Sequence, residues 1–277
     1  MQTKSGISLH PIGIGTWLIA GSFESDPNAL YNGAKPAYGN EPQEIAAIRY
    51  SLSKGQNHID CAELYGGFYT DEVVGRALAG AVREDLFVAD KLWKSSVAAN
   101  KVRPAVEQML AKLQTSYLDM LYIHAPWYDA PWEEAIPQIN ELIDKGIVRH
   151  FGVSNFNLEK MKRAMALSKH PVAANQMNYN VLHKTEVDDE FRAFCKENGI
   201  TIVAYQPVKR QEVLANDTIK NIALAHSASA AQVALAWLIA MDTLPIPKAL
   251  QQGHIDENVA AVELLLTDDE LRLLSAL

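Results

Sequence analysis

Residues 86–124 read LFVADKLWKSSVAANKVRPAVEQMLAKLQTSYLDMLYIH. Two short apolar runs rich in branched residues, Leu86–Asp90 and Leu118–His124, flank a segment, Val97–Leu113, whose apolar residues recur at helical spacing. Strand, helix and strand at these lengths read as one βαβ unit, and such units build parallel sheets because the crossover helix returns the chain to the same end. The pattern continues in both directions. Ile12–Trp17 and Asn57–Asp60 are strand candidates upstream, and Ile147–Val153, Pro171–Met177, Thr201–Tyr205 and Leu244–Pro247 follow downstream, with helical patterns such as Ala130–Ile143 between. Eight runs in 277 residues suit a closed α/β (β/α)8 TIM barrel, which typically takes ~250 residues. An open doubly wound sheet is the alternative. No Pro/Gly/Ser-rich linker divides the chain, so a single domain over residues 1–277 is expected.

Composition narrows the function classes. Apolar residues make up 48% and charged residues 21%, enough for a sizeable core and unlike a disordered or fibrous chain. The 25 Lys and Arg against 33 Asp and Glu give a net charge of −8, which would repel a phosphate backbone, so no nucleic-acid partner is expected. No apolar run reaches the ~18 residues of a membrane span, and the start, MQTKSGISLH, is too polar for a signal peptide. Cys61 and Cys195 form neither a disulfide framework nor a zinc spacing. A cytoplasmic protein without membrane attachment or metal is the expectation.

Local signals mark several helix starts. Ser229-Ala-Ala-Gln232 and Thr267-Asp-Asp-Glu270 have capping-box spacing. The acidic run Asp188-Asp189-Glu190 precedes a helical pattern and suits the positive end of its dipole better than a metal. Trp237 falls at core spacing. Ala20–Pro42 is the longest irregular stretch, of the kind that often serves as a functional loop. Gly13-Ile14-Gly15 lacks the third glycine of a dinucleotide fingerprint, since position 18 is leucine. The sequon Asn216-Asp217-Thr218 reads as chance.

Polar residues fall where the strands end. Asp60 closes the second run, Lys91 follows the third, and His124 closes the fourth. Ser154-Asn155, Gln176, Tyr205 and Lys248 stand at the ends of runs five to eight. Any one alone has a structural reading: Asp60 with Lys91 as a buried ion pair, His124 as a core histidine, Tyr65 as a loop tyrosine. In a barrel, however, the C-terminal strand ends converge on one mouth, where active sites are built.

The chain resembles the aldo-keto reductase superfamily over nearly its whole length. The residues that carry the resemblance are Gly13-Ile-Gly-Thr-Trp17, His58-Ile-Asp-Cys-Ala-Glu-Leu-Tyr-Gly66, Val88-Ala-Asp-Lys-Leu-Trp93, Leu118-Asp-Met-Leu-Tyr-Ile-His124, Gly152-Val-Ser-Asn-Phe156, Asn175-Gln176 and Ile246-Pro-Lys248. The resemblance implies a (β/α)8 barrel that reduces aldehydes and ketones with a nicotinamide cofactor, NADPH or NADP+ with NADH as the alternative. It implies a catalytic tetrad of Asp60, Tyr65, Lys91 and His124.

Residue chemistry agrees. Hydride addition to a carbonyl leaves an alkoxide that needs a proton donor and a stabilising field. Tyr65 is the expected donor, and Lys91 beside it is expected to lower a phenol pKa of ~10. Asp60 would hold Lys91 charged, and His124 would bond the carbonyl oxygen.

By resemblance, Ser154, Asn155 and Gln176 take the carboxamide and Tyr205 stacks on the nicotinamide. Lys248, His254, Glu257 and Asn258 fall at the phosphate and adenine end, where a helix is expected from near Gly253. Ala249 and His254 replace a frequent serine and arginine, and Asp256 and Glu257 lower the local positive potential, which weakens a 2′-phosphate clamp. Trp17, Trp93 and Trp127 are expected to wall a carbonyl or alcohol substrate. Ala125, where many relatives carry a bulky aromatic, widens that pocket. A monomer or weak homo-oligomer is expected. The alternatives are a non-catalytic nicotinamide-binding barrel and a barrel hydrolase using paired carboxylates such as Asp60 and Glu63.

Overall fold

All eight apolar runs form one parallel sheet in chain order in the computed structural model, which describes residues 1–21 and 40–277. The strands are β1 (Ile14–Gly15), β2 (His58–Asp60), β3 (Phe87–Leu92), β4 (Leu118–Ile123), β5 (Val148–Ser154), β6 (Val172–Asn178), β7 (Thr201–Tyr205) and β8 (Thr243–Pro245). Each overlaps its expected run, with β3 continuing to Leu92, β5 to Ser154 and β6 to Asn178, and β8 beginning at Thr243. The sheet closes on itself. Gly13 N–H donates to the Pro245 carbonyl at 2.9 Å, and Gly15 N–H to that of Pro247 at 3.0 Å. The seam requires glycine at position 15, because a Cβ there would sit 2.4 Å from the Ile246 carbonyl oxygen. The closed barrel, not the open sheet, is the architecture.

Alternation along each strand sorts side chains to two cores. Phe87, Ala89, Met120, Tyr122, Ala174, Val203, Leu244 and Ile246 fill the barrel interior. Val88, Leu92, Leu121, Ile123, Phe151, Val153 and Ile202 belong to the larger core beneath the surrounding helices. Lys91 continues the inward series of β3, and Asp60 lies beside it at the end of β2. The barrel's packed interior thus delivers both charges, almost fully buried, to its C-terminal rim.

The helices are α1 (Glu41–Ser53), α2 (Tyr65–Phe68), α3 (Thr70–Leu78), α4 (Val102–Leu113), α5 (Trp132–Asp144), α6 (Leu158–Leu167), α7 (Asp189–Glu197), α8 (Arg210–Ala215), α9 (Asp217–Ala225), α10 (Ala230–Ala240), α11 (Gln252–Ala260) and α12 (Asp268–Ser275). Both expected capping boxes form, at Ser229–Gln232 and Thr267–Glu270. Asp188 caps α7 by accepting from Phe191 N–H. The helical pattern at Val97 begins its α-helix only at Val102, after a 3-10 turn at Lys94–Ser96. Of the irregular stretch Ala20–Pro42, Glu41 and Pro42 belong to the first turn of α1, capped by Asn40. Residues 22–39 of it lie outside the described residues. No single helix among the described residues is long and apolar enough to cross a membrane.

Candidate active site

Three strand ends and one turn bring Asp60, Tyr65, Lys91 and His124 together. Thr16 fixes the end of β2 by donating its hydroxyl to the Asp60 carbonyl at 2.7 Å. The chain then turns sharply through Gly66 and Gly67, whose φ values of 54° and 64° lie in the left-handed region that glycine tolerates. That turn folds Tyr65 back over the rim. Lys91 Nζ donates to Asp60 Oδ2 at 2.7 Å, to the Cys61 carbonyl at 2.6 Å and to Tyr65 Oη at 3.2 Å. All three donor positions of the ammonium are therefore used. Asp60 spends its other oxygen on Gln176, whose Nε2 donates to Oδ1 at 2.7 Å.

Lys91 is wholly buried. Burial pulls its pKa down, but Asp60 and Tyr65 at hydrogen-bond distance outweigh it and the net shift is upward, so the side chain is an ammonium. For Tyr65 the balance reverses the expectation. Burial pushes the phenol up, Lys91 pulls it back and Asp60 pushes again, leaving it at about 12. Asp60 opposes the pull of Lys91, and desolvation is the largest of the effects. His124 is lowered to about 3 by burial and then by Lys91, and is a neutral imidazole. Its ring stands edge-to-face with Tyr65 at 5.8 Å between centroids.

Aromatic rings continue outward. Trp17 meets Tyr65 at 4.9 Å, Trp93 meets His124 at 5.4 Å, and Trp127 meets Trp93 at 5.1 Å. Trp17 lines the main cavity, whereas Trp93 and Trp127 stand beside His124 and off that lining.

This cavity, of 1290 Å³, opens over the rim and is lined by Trp17, Asp60, Tyr65 and His124 together with Lys248, Ala249, His254, Glu257 and Asn258. Ser154, Asn155, Gln176 and Tyr205 line it too, so all eight expected cofactor residues face one cavity. They are mutually braced. Ser154 Oγ donates to the Gln176 carbonyl at 2.9 Å, Asn155 Nδ2 donates to Ser154 Oγ at 3.1 Å, and Tyr205 Oη donates to Asn155 Oδ1 at 2.9 Å. Asn155 adopts φ 61°, a left-handed conformation asparagine tolerates. Such a cleft exceeds the ~300–1,000 Å³ of ordinary small-molecule pockets, and its graded lining fits an extended dinucleotide. The amide-rich stretch is tied to the tetrad through Gln176 to Asp60 and Asn155 to the His124 carbonyl, and Lys248 and the first turn of α11 complete the lining.

The lining also includes Gln206, Pro207, Val208, Lys209, Glu212 and Leu214 after β7, and Ser229, Ala230 and Ala231 at the start of α10. None has a sequence signature, although the rule that loops after strands seven and eight hold phosphates points to the first group. Asp256 does not line the cavity. It pairs with Lys54 at 2.8 Å and accepts from Tyr50 Oη, so its charge is compensated on the outside. Glu63 is likewise engaged elsewhere, by Trp93 and Ser96, and does not form a carboxylate pair with Asp60. Among the described residues no group of three or more His, Cys, Asp or Glu side chains could hold a metal ion.

Comparisons with known proteins agree with this geometry. The model of the Aldo/keto reductase family matches residues 11–277. Methylglyoxal reductase YeaE of Escherichia coli (strain K12) is 32% identical, over 99% of this chain and 93% of its own. A crystal structure of the thermostable aldo-keto reductase Tm1743 with the inhibitor epalrestat superposes with a TM-score of 0.89 at 33% identity, covering 100% of this chain and 98% of that one. A Klebsiella pneumoniae aldo/keto reductase in complex with NADP and acetate gives 0.83 at 30% identity, covering 99% and 93%. A closed barrel, four converging polar side chains at its rim and a family match over almost the entire sequence lead to one conclusion: the chain belongs to the aldo/keto reductase family of oxidoreductases.

Proposed function

We propose that the protein reduces aldehydes or ketones with NADPH, with Tyr65 as the general acid. The observation that carries the reading is the Tyr65 hydroxyl, held by the Lys91 ammonium at 3.2 Å and faced by His124, on the wall of a cavity suited to a dinucleotide. The bound nicotinamide would supply the hydride. The chain supplies the rest. With a pKa of about 12, Tyr65 is protonated throughout the working range, and a developing alkoxide is basic enough to take its proton. Because Lys91 donates to Oη, the hydroxyl proton is directed elsewhere, and the ammonium stabilises negative charge as it forms on the phenol oxygen. Asp60, bonded to both Lys91 and Gln176, fixes that ammonium and links it to the cofactor wall. His124, neutral, donates one N–H to the carbonyl oxygen and sets its angle of approach.

Ser154, Asn155 and the Gln176 side-chain oxygen, Oε1, would take the carboxamide, with Tyr205 stacked on the ring. Lys248, His254, Glu257 and Asn258 would take the phosphate and adenine end. Trp17, Trp93 and Trp127 would wall the substrate. A panel of aldehydes and ketones, followed by loss of NADPH absorbance, tests the reading. Turnover of several carbonyls is expected, and NADPH binding without any turnover would overturn it.

A further inference from the structure

Glu63 is a carboxylate beside the tetrad that the reaction above does not use. It lies two residues before Tyr65 on the turn leaving β2, and its backbone N–H donates to the Lys91 carbonyl at 3.1 Å. Its side chain crosses to the segment leaving β3. Oε2 accepts the Trp93 backbone N–H at 2.8 Å, and Oε1 accepts the Ser96 hydroxyl at 2.7 Å. Trp93 opens the 3-10 turn Lys94–Ser96, and Glu63 is the side chain that satisfies its N–H. The two bonds thus pin both ends of one turn. The indole carried by that turn packs edge-on against His124 at 5.4 Å and against Trp127 at 5.1 Å.

We propose that Glu63 is a positioning residue for the carbonyl pocket: by bridging Trp93 and Ser96 it fixes the Trp93 indole against His124, and so sets the wall that receives the substrate's side chain. The inference rests on the carbonyl-reduction reading and adds to it a residue that touches neither substrate nor cofactor. Without the bridge the turn loses both anchors, while the tetrad keeps its own hydrogen bonds. Binding of the carbonyl should therefore suffer more than the chemical step.

Glu63→Ala, Glu63→Gln, Trp93→Ala and the double variant Glu63→Ala/Trp93→Ala are compared with wild type by steady-state kinetics and NADPH titration. Glu63→Ala should raise the KM of a bulky carbonyl about tenfold, with a smaller rise for a two-carbon aldehyde, and change kcat less than about threefold. The NADPH Kd should stay within about twofold. Gln keeps an oxygen for Trp93 N–H and offers an amide to Ser96 Oγ, so it should restore most of the KM. In the Trp93→Ala background, removing Glu63 should add little, because both changes act through one indole. Should Glu63→Ala not fold, Ser96→Ala removes one anchor and should raise KM in the same direction. Additive effects in the double variant, an unchanged KM, or equal losses in KM and NADPH affinity would overturn the proposal. Absence of wild-type carbonyl turnover would overturn the reading on which it rests.

Discussion

At Tyr65 two opposing effects act on one hydroxyl, and desolvation prevails. A phenol held at about 12 gives a reduction rate that does not depend on its titration, and His124 at about 3 adds no ionisation near neutrality. We therefore expect kcat/KM for reduction to be flat from about pH 6 to 9, and an alkaline fall with a midpoint inside that range would rule out Tyr65 as the titrating acid. Tyr65→Phe keeps the ring against Trp17 and His124 but loses the proton. Its kcat should fall by ~10² or more with cofactor affinity nearly unchanged, provided chemistry is rate-limiting. Lys91→Met has a second consequence, because Asp60 is 1% exposed and would be left without its counter-charge. Breaking such a pair costs about 3–5 kcal/mol, measurable by urea unfolding. Adding Asp60→Asn should recover most of that stability without recovering turnover. A Lys91→Met variant as stable and as active as wild type would refute the coupling.

At the scale of elements, the β1–β8 seam and helix α11 each rest on a few backbone groups. Gly15→Ala forces a Cβ onto the Ile246 carbonyl at the seam, where backbone has little room to yield. We expect a loss of ~1–3 kcal/mol, read as a lower urea midpoint, and a neutral substitution would mean that the seam opens without cost. The first turn of α11 carries His254, which lines the same cavity as Lys248. A charge-assisted hydrogen bond is worth ~1.5–3 kcal/mol, roughly ten- to a hundredfold in affinity, and a guanidinium offers a planar fork where an imidazole offers a single donor. His254→Arg should therefore tighten NADPH while leaving NADH unchanged, and Lys248→Ala should erode the preference for NADPH. Dissociation constants for both cofactors at fixed salt provide the check. Tighter NADH binding by the wild type would reverse the assignment. Asn216, read from the sequence as part of a chance sequon, serves α9 as its cap by accepting from Ile219 N–H.

Across the whole molecule, stability also depends on buried charges other than those of the tetrad. Asp119 shows the paired case: it is fully buried and bridges Arg83 at 2.8 Å and Arg149 at 2.6 Å. Asp71 and Asp90 show the opposite, for each is almost wholly buried and leaves one carboxylate oxygen without a partner. Burial raises Asp71 to about 7, and Asp90 is pushed well up by burial and by Asp71. For an acid whose folded pKa exceeds its unfolded value, stability is full at low pH. It is lost as pH rises from the unfolded pKa near 4 to the folded one near 7, because only the unfolded chain ionises freely. Asp71→Asn should flatten the pH dependence of Tm over that window and raise Tm at pH 8 relative to wild type. An equal drop in Tm at pH 5 and pH 8 would mean that the carboxyl makes a bond the amide cannot replace.

How much of this was legible along the chain follows from what kind of property each feature is. Strand positions, both capping boxes and the polar residues at seven of the eight strand ends depend on residue type and spacing over a few positions, so the sequence alone located them. With eight parallel strands implied, it also followed that those polar ends share one rim. The pairing of Asp60 with Gln176, 116 residues apart, depends on barrel register and closure and has no local trace. The same holds for the loop after β7 that completes the cavity, for Asp256 turning out to Lys54, and for Glu63 bridging Trp93 and Ser96. The Tyr65 pKa is the sharpest case. Residue identity names a cation beside a phenol and suggests a fall, yet the sign is set by how completely water is excluded, with Asp60 opposing Lys91. Desolvation is a property of the packed interior, so only the tertiary structure could decide it.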